Sequence, residues 1–302
     1  MIEVENLKKR FGNVQAVNGV TFTARSGAIT GLLGPNGAGK TTTIRMVGSL
    51  ISIDSGRAKI DGIDVASDTD GARRACGLLT DSRGVYTRMT ARENIRYYAE
   101  LRGVETVRSE KTLARFVEWL DMKEILDRRT EGFSQGERMK VAIVRALIHE
   151  PANVILDEPT NGLDPAARLR MVRLIKEMRD TQQMHVVLCS HLLRDVEETC
   201  DEVLILKQGR LVHYSNLEEE RRANRRFVEM EITGDEPAFA LALQGLGCEC
   251  AMPGNKRIKA VVPDEIEIRD IYRLAAERDV QLRRLNYRRD TLEDIFLKAM
   301  EN

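Results

Sequence analysis

Gly34, Gly39, Lys40 and Thr41 fill every fixed position of the spacing G-x-x-x-x-G-K-[ST], within Gly34-Pro35-Asn36-Gly37-Ala38-Gly39-Lys40-Thr41-Thr42. Glycines at those places let a backbone curl without Cβ clashes, so that successive N–H groups converge on one phosphate. The lysine adds a cation for the β- and γ-phosphates, and the Thr41 hydroxyl adds an oxygen for Mg²⁺. The apolar run Ile29 to Leu33 enters this loop and a helical pattern from Thr42 to Leu50 leaves it. In that setting the helix dipole favours the same negative charge. A glycine-rich turn that binds nothing would need none of this agreement. The stretch predicts binding of a nucleoside triphosphate.

A second group supplies acids. Asn153-Val154-Ile155-Leu156-Asp157-Glu158 reads as a buried strand ending in two carboxylates. Beside a phosphate loop, the first can hold Mg²⁺ through its water shell and the second can orient and deprotonate an attacking water. Val186-Val187-Leu188-Cys189 is a further buried strand, ending at Ser190-His191, at the edge where ligands of parallel sheets collect. A lone histidine is more often structural, and His149, His185 and His213 have no such placement, so His191 is the candidate. Ser134 and Glu137 have capping-box spacing, which starts a helix at Gln135 with Met139, Ala142, Ile143, Ala146 and Leu147 on one face. Taken alone, that is an ordinary capped helix. Phe11, in Lys9-Arg10-Phe11-Gly12, either stacks on an adenine ring or packs in a hairpin.

The surrounding elements must carry these residues to one place. Residues 1–28 alternate as antiparallel strands, and Ala58-Lys59-Ile60 sits in a short hairpin punctuated by Gly56 and Gly62. Gly77 to Thr80 ends a strand at Asp81. Residues 90–128 read as a helical subdomain inserted between strands, capped at Thr90 with Glu93, with Leu113, Phe116, Val117 and Leu120 on one face and Trp119 in the core. Asp164 and Pro165 start another helix. Val203 to Leu206 with Gly209 closes with a hairpin.

Composition bounds the alternatives. The 302 residues suggest one large domain and a smaller one, and Lys+Arg and Asp+Glu balance at 47 each. No global field draws the chain to nucleic acid or anionic lipid, and no nucleic-acid partner is expected. No apolar run is long enough to span a membrane, and the first residues do not read as a signal peptide. Five cysteines at irregular spacing fit a reducing compartment, with Cys248 and Cys250 as alternate positions on a strand.

With these motifs in this order, residues 1 to about 220 resemble the ATP-binding subunit of an ABC transporter. The resemblance rests on Gly34 to Thr42 as phosphate loop, Phe133 to Glu137 as signature segment and Val154 to Glu158 as magnesium strand with catalytic Glu. It continues through Asn161 to Asp164 and through His191 as switch histidine. It implies ATP and Mg²⁺ as cofactors, with Lys40, Glu158 and His191 catalytic, Thr41, Asp157 and Asp81 toward the metal, and Ser134 and Gly136 on phosphate. Two departures stand out. The usual Leu-Ser-Gly-Gly-Gln is here Phe-Ser-Gln-Gly-Glu, and Asp81 stands where the family usually has Gln.

The implied fold is α/β: a P-loop NTPase core with an antiparallel β subdomain and a helical subdomain. The implied partners are a multi-spanning permease and a second copy of the chain or a paralogous ATPase subunit, packed head to tail around two ATP molecules. The location is then cytoplasmic, on the inner face of the cell membrane. The domain division expected is 1–220 and 221–302. After a charged link with Arg221, Arg222, Arg225 and Arg226, the tail reads βαββαβ, a small C-terminal ferredoxin-like α+β domain, followed by an amphipathic helix with Leu292, Ile295, Phe296 and Met300. Thr291 to Phe296 resembles the ending of exporter-branch subunits. The alternatives are a soluble ABC-type ATPase of translation, cluster assembly or repair, and a nucleotide sensor without catalysis, which Glu158 argues against.

Overall fold

Alternating burial builds the first sheet. Strand β1 (Ile2–Phe11) pairs antiparallel with β2 (Val14–Ala24), from Ile2 opposite Ala24 to Phe11 opposite Val14. Ile2, Val4, Leu7, Val17 and Val20 turn inward. The computed structural model describes all residues except 81–83, 218, 220–226, 255, 256, 264, 288–291 and 302. Asp81, the charged link from Arg221 to Arg226 and Thr291 therefore lie outside the described residues.

β3 (Ile29–Leu33) leaves for a second sheet and is buried throughout, followed by α1 (Lys40–Val47). β4 (Ser55–Ile60) returns to the free edge of β1 and turns into β5 (Ile63–Asp64), the expected hairpin. After α2 (Thr69–Arg74) come β6 (Cys76–Leu79) and the helical insertion, α3 (Ala91–Leu101) and α4 (Thr106–Trp119). Thr90 and Glu93 cap α3 reciprocally. Trp119 is half-buried rather than core: its ring meets Phe116 edge-on at 5.5 Å between centroids, and the Arg115 guanidinium covers it.

α5 (Gln135–Leu147) leads to β7 (Asn153–Asp157), α6 (Pro165–Gln182), β8 (His185–Cys189), α7 (Leu193–Thr199), β9 (Glu202–Lys207) and β10 (Arg210–Asn216). Among the described residues the second sheet runs β10-β9-β3-β8-β7-β6, and the neighbours from β9 to β6 are parallel. A parallel sheet needs cover on both faces, which is why β3 and β7 are buried throughout and β8 from Val186 onward.

The chain folds as two compact units, Met1–Ser215 with the last residues from Ala299, and Asn216–Lys298. The second unit runs β11 (Phe227–Thr233), α8 (Glu236–Gly245), β12 (Glu249–Gly254), β13 (Arg257–Val261), α9 (Ile268–Glu277) and β14 (Gln281–Tyr287). Its sheet order is β12-β13-β11-β14 with every neighbour antiparallel, the topology of a split βαβ pair. Val228, Met230 and Ile232 pack with Phe239, Leu243 and Ile271, and Cys248 and Cys250 join that core. α9 starts at Ile268 rather than Glu265, where the Asp270 carboxylate accepts from the Glu267 N–H at 3.0 Å. The chain ends in α10 (Leu292–Glu301).

Candidate functional site

Strand register gathers the candidates. Leu32 on β3 is level with Cys189 on β8, and Cys189 is level with Asp157 on β7. Because these strands run parallel, the phosphate loop, Glu158 and His191 all begin at the same edge of the sheet.

Two glycines shape the loop by close approach. A Cβ on Gly34 (φ +154°) would lie 2.3 Å from the Leu206 carbonyl oxygen, and one on Gly39 (φ +98°) 2.5 Å from that of Ala16. Neither place admits a side chain. Pro35, Asn36 and Gly37 are exposed and Ala38 is buried. Gly39 caps α1 with its backbone alone, so the first N–H groups of the helix, at Lys40, Thr41 and Thr42, have no intrahelical acceptor and remain donors for phosphate. The buried Lys40 Nζ donates to the carbonyls of Gly34 at 2.7 Å and Pro35 at 3.1 Å, holding an ammonium inside the loop.

Asp157 ends β7 almost fully buried. Cys189 is level with it on the neighbouring strand, and burial, with the Asp157 charge, holds the Cys189 thiol well above its usual range. Asp157 Oδ1 is buried without a hydrogen-bond partner. A buried carboxylate oxygen left unpaired is costly, and a hard divalent cation would satisfy it. Among the described residues no cluster of three His, Cys, Asp or Glu side chains could hold a metal alone. A cation at Asp157 would be held by that carboxylate with the Thr41 hydroxyl and phosphate oxygens.

Glu158 has φ +53°, a left-handed conformation costing a non-glycine residue about 1–2 kcal/mol. Its N–H donates to the Cys189 carbonyl at 2.9 Å, and its Oε2 lies 2.7 Å from His191 Nδ1. Burial raises the Glu158 carboxyl above its ordinary range; the nearby His191 and Lys40 oppose the rise and Asp157 adds to it. A carboxylate so raised is a better base for water than an exposed one.

The turn after Glu158 is anchored by a residue that no local pattern marks. Asp195 on α7, 1% exposed, accepts from Thr160 Oγ1 at 2.6 Å and is bridged by Arg168. Asp164 accepts the N–H groups of Ala166 and Ala167, both at 2.9 Å, as its N-cap role predicts.

Ser134 caps α5: its Oγ accepts from the Glu137 N–H at 3.2 Å, and Glu137 accepts from the Ser134 N–H at 2.7 Å. A Cβ on Gly136 would find Leu163 nearest, at an ordinary 3.5 Å. Phe11 ends β1 half-exposed with Lys9 Nζ 5.6 Å from its ring centroid. His185 serves packing, accepting the Gly27 N–H at 2.6 Å.

The ABC transporter family matches residues 17–161. The chain is 32% identical to the linearmycin resistance ATP-binding protein LnrL of Bacillus subtilis (strain 168), covering 82% of this chain and 79% of that one. It is 29% identical to the bacitracin transport ATP-binding protein BcrA of Bacillus licheniformis over 99% of this chain and 97% of that one. A solved ATP-binding subunit of an ABC transporter is 30% identical and superposes with a TM-score of 0.68, over 74% of this chain and 92% of that one. With phosphate loop, paired acids and histidine on one sheet edge, this chain belongs to the ATP-binding subunits of ABC transporters and is an ATPase.

Proposed function

We propose that the chain hydrolyses ATP with Mg²⁺ to power a separate membrane permease, working as a head-to-tail pair at the inner face of the cell membrane. The observation that carries this reading is the buried, unpaired Asp157 Oδ1 beside the raised Glu158 carboxyl. Thr41 and Asp157 would hold the cation, which supplies charge neutralisation to the phosphates. Lys40 and the N–H groups of Gly37 and of Gly39 to Thr42 bind and orient the phosphates. Glu158 takes the proton of the attacking water, and His191 positions Glu158 and the reacting group.

Ser134 and Gly136 stand at the start of α5, whose N–H donors and dipole suit the γ-phosphate bound by a second copy. Phe11 offers an exposed ring to adenine. Asp81 would add negative charge toward that cation. The permease engages a cleft of about 380 Å³ whose lining includes Leu78, Thr80, Gly84, Tyr98 and Arg145. Arg145 shapes its wall, donating to the Gly84 carbonyl at 2.5 Å with its guanidinium 3.6 Å from the Tyr98 ring centroid. Export is favoured by the resistance function named for LnrL and by the match with BcrA, which runs through the second unit.

Isolation from native membranes tests the reading. A co-isolating multi-spanning protein that stimulates ATP turnover supports it, and a ribosome or repair complex in its place rejects it. Glu158→Gln should accumulate with ATP as a dimer on a sizing column; a protein that stays monomeric removes the head-to-tail pair.

A further inference from the structure

We propose that Gln135 is a positioning residue, a latch that ties the start of α5 to the turn following Glu158. Gln135 Nε2 donates to the Asn161 carbonyl at 3.2 Å. Independently, a Cβ on Gly162 (φ +72°) would lie 2.4 Å from Gln135 Cδ and Nε2 and 2.6 Å from Oε1. The amide therefore lies directly against the bare Cα of Gly162. The family's usual signature has glycine at the place of Gln135, which has no side chain to make this link.

The latch closes a short path. Ser134, the cap of α5, adjoins Gln135; Gln135 holds Asn161; and the Asn161 N–H donates to the Glu158 carbonyl at 3.1 Å. The far side of the same turn is pinned by Thr160 to buried Asp195. A shift of the Ser134 segment is thus passed to the backbone that carries the general base. If two copies pair as proposed above, the segment touching one nucleotide is coupled to the base serving the other. That consequence rests on the proposed pair, whereas the latch itself is a property of one chain.

The link is an exposed neutral hydrogen bond plus a close contact, so its removal should cost about three- to tenfold, not all activity. In the full-length purified ATPase, Gln135→Met keeps the reach and loses the donor. It should lower kcat by about that factor and leave the KM for ATP unchanged. Gly162→Ala pushes the amide away and should do the same. Combining the two should cost little more than either alone, since both break one contact. Strictly multiplicative losses overturn the latch, and so does unchanged kcat in Gln135→Met. A melting scan of each variant separates misfolding from this effect, and Gln135→Met carries the test if Gly162→Ala does not fold.

Gln135→Glu distinguishes the latch from mere helix support. A carboxylate in the first turn of α5 favours the helix dipole, so Tm should hold or rise. Its oxygens cannot donate to the Asn161 carbonyl, so kcat should fall at least as far as in Gln135→Met. Full turnover with Glu at this position overturns the proposal. ATP-dependent dimerisation of Glu158→Gln is scored separately: its absence removes the coupling between nucleotides and leaves the turnover cycle to decide the latch.

Discussion

The two units use their sheets in opposite ways. In the first, β3, β8, β7 and β6 run parallel, so their C-terminal ends share one edge, and the loops leaving that edge carry Lys40, Asp157, Glu158 and His191. In the second, every neighbouring pair is antiparallel, so successive strand ends point to opposite edges and no such convergence arises. Burial follows suit. Among the described residues every buried polar or charged side chain lies at or before Ser215, while the core of the second unit is built from residues such as Met230, Phe239, Leu243 and Ile258. A parallel edge concentrates expensive polar groups that a ligand can satisfy. The core of the antiparallel unit is apolar, so a substitution there is read first as a change in stability.

The comparison breaks most sharply at Glu158. Glu158→Gln should retain ATP binding and lose about 10²–10⁴-fold in turnover, the usual range for a general base. The pH profile sharpens this. Because burial raises the carboxyl, the acid limb of wild-type turnover should lie above the ordinary glutamate range. The stability sign follows from the same shift. The fold favours the protonated form, so wild-type stability is full below the ordinary range and falls as pH rises through the raised value. Glu158→Gln should therefore melt higher than wild type above that window and alike below it. Equal Tm at neutral pH would contradict the burial penalty.

Lys40 comes next. Removing a charged donor inside the loop costs about 2–3 kcal/mol, so Lys40→Ala should bind labelled ATP about a hundredfold more weakly. Unchanged affinity would remove the loop from the site. His191→Ala leaves the Glu158 carboxylate without its 2.7 Å partner. Turnover should fall by about tenfold or more with little change in affinity, the pattern of a group used in the transition state. An affinity loss at constant kcat would make His191 a binding residue only.

What was readable in the sequence was local. Gly34 to Thr42 and the cap at Ser134 are patterns a few residues long, and Val154-Ile155-Leu156 before Asp157-Glu158 announces a buried strand with acids at its end. The partners that crossed the chain were not readable. Thr160 meets Asp195 across 35 positions, and Cys189 meets Asp157 through strand register alone. Gln135 reads as a departure from a signature, and its contact with Asn161 exists only once α5 and the turn after β7 are placed. The half-burial of Trp119 depends on Arg115, one helical turn away, covering the ring.

The smallest effect expected on ATP is the most direct test of the contrast between the units. Leu243 is fully buried in α8 against the sheet of the second unit. Leu243→Ala should cost that unit about 2–5 kcal/mol, because the packed core closes only partly over the lost atoms. In a unit of this size such a loss moves a melting transition by about 8–40 °C. ATP affinity and turnover should stay within about twofold of wild type, since that core is built from residues such as Val228, Phe239, Leu243 and Ile271 and includes none of the candidate site residues. Leu32→Ala is the matched control: it is equally buried, on β3 two residues before Gly34, and it should depress stability and ATP affinity together. If Leu243→Ala weakens ATP binding as Leu32→Ala does, the second unit shapes the nucleotide site and the two are not independent. If it instead lowers only the turnover stimulated by membranes, the antiparallel unit acts on the permease or the pair rather than on ATP.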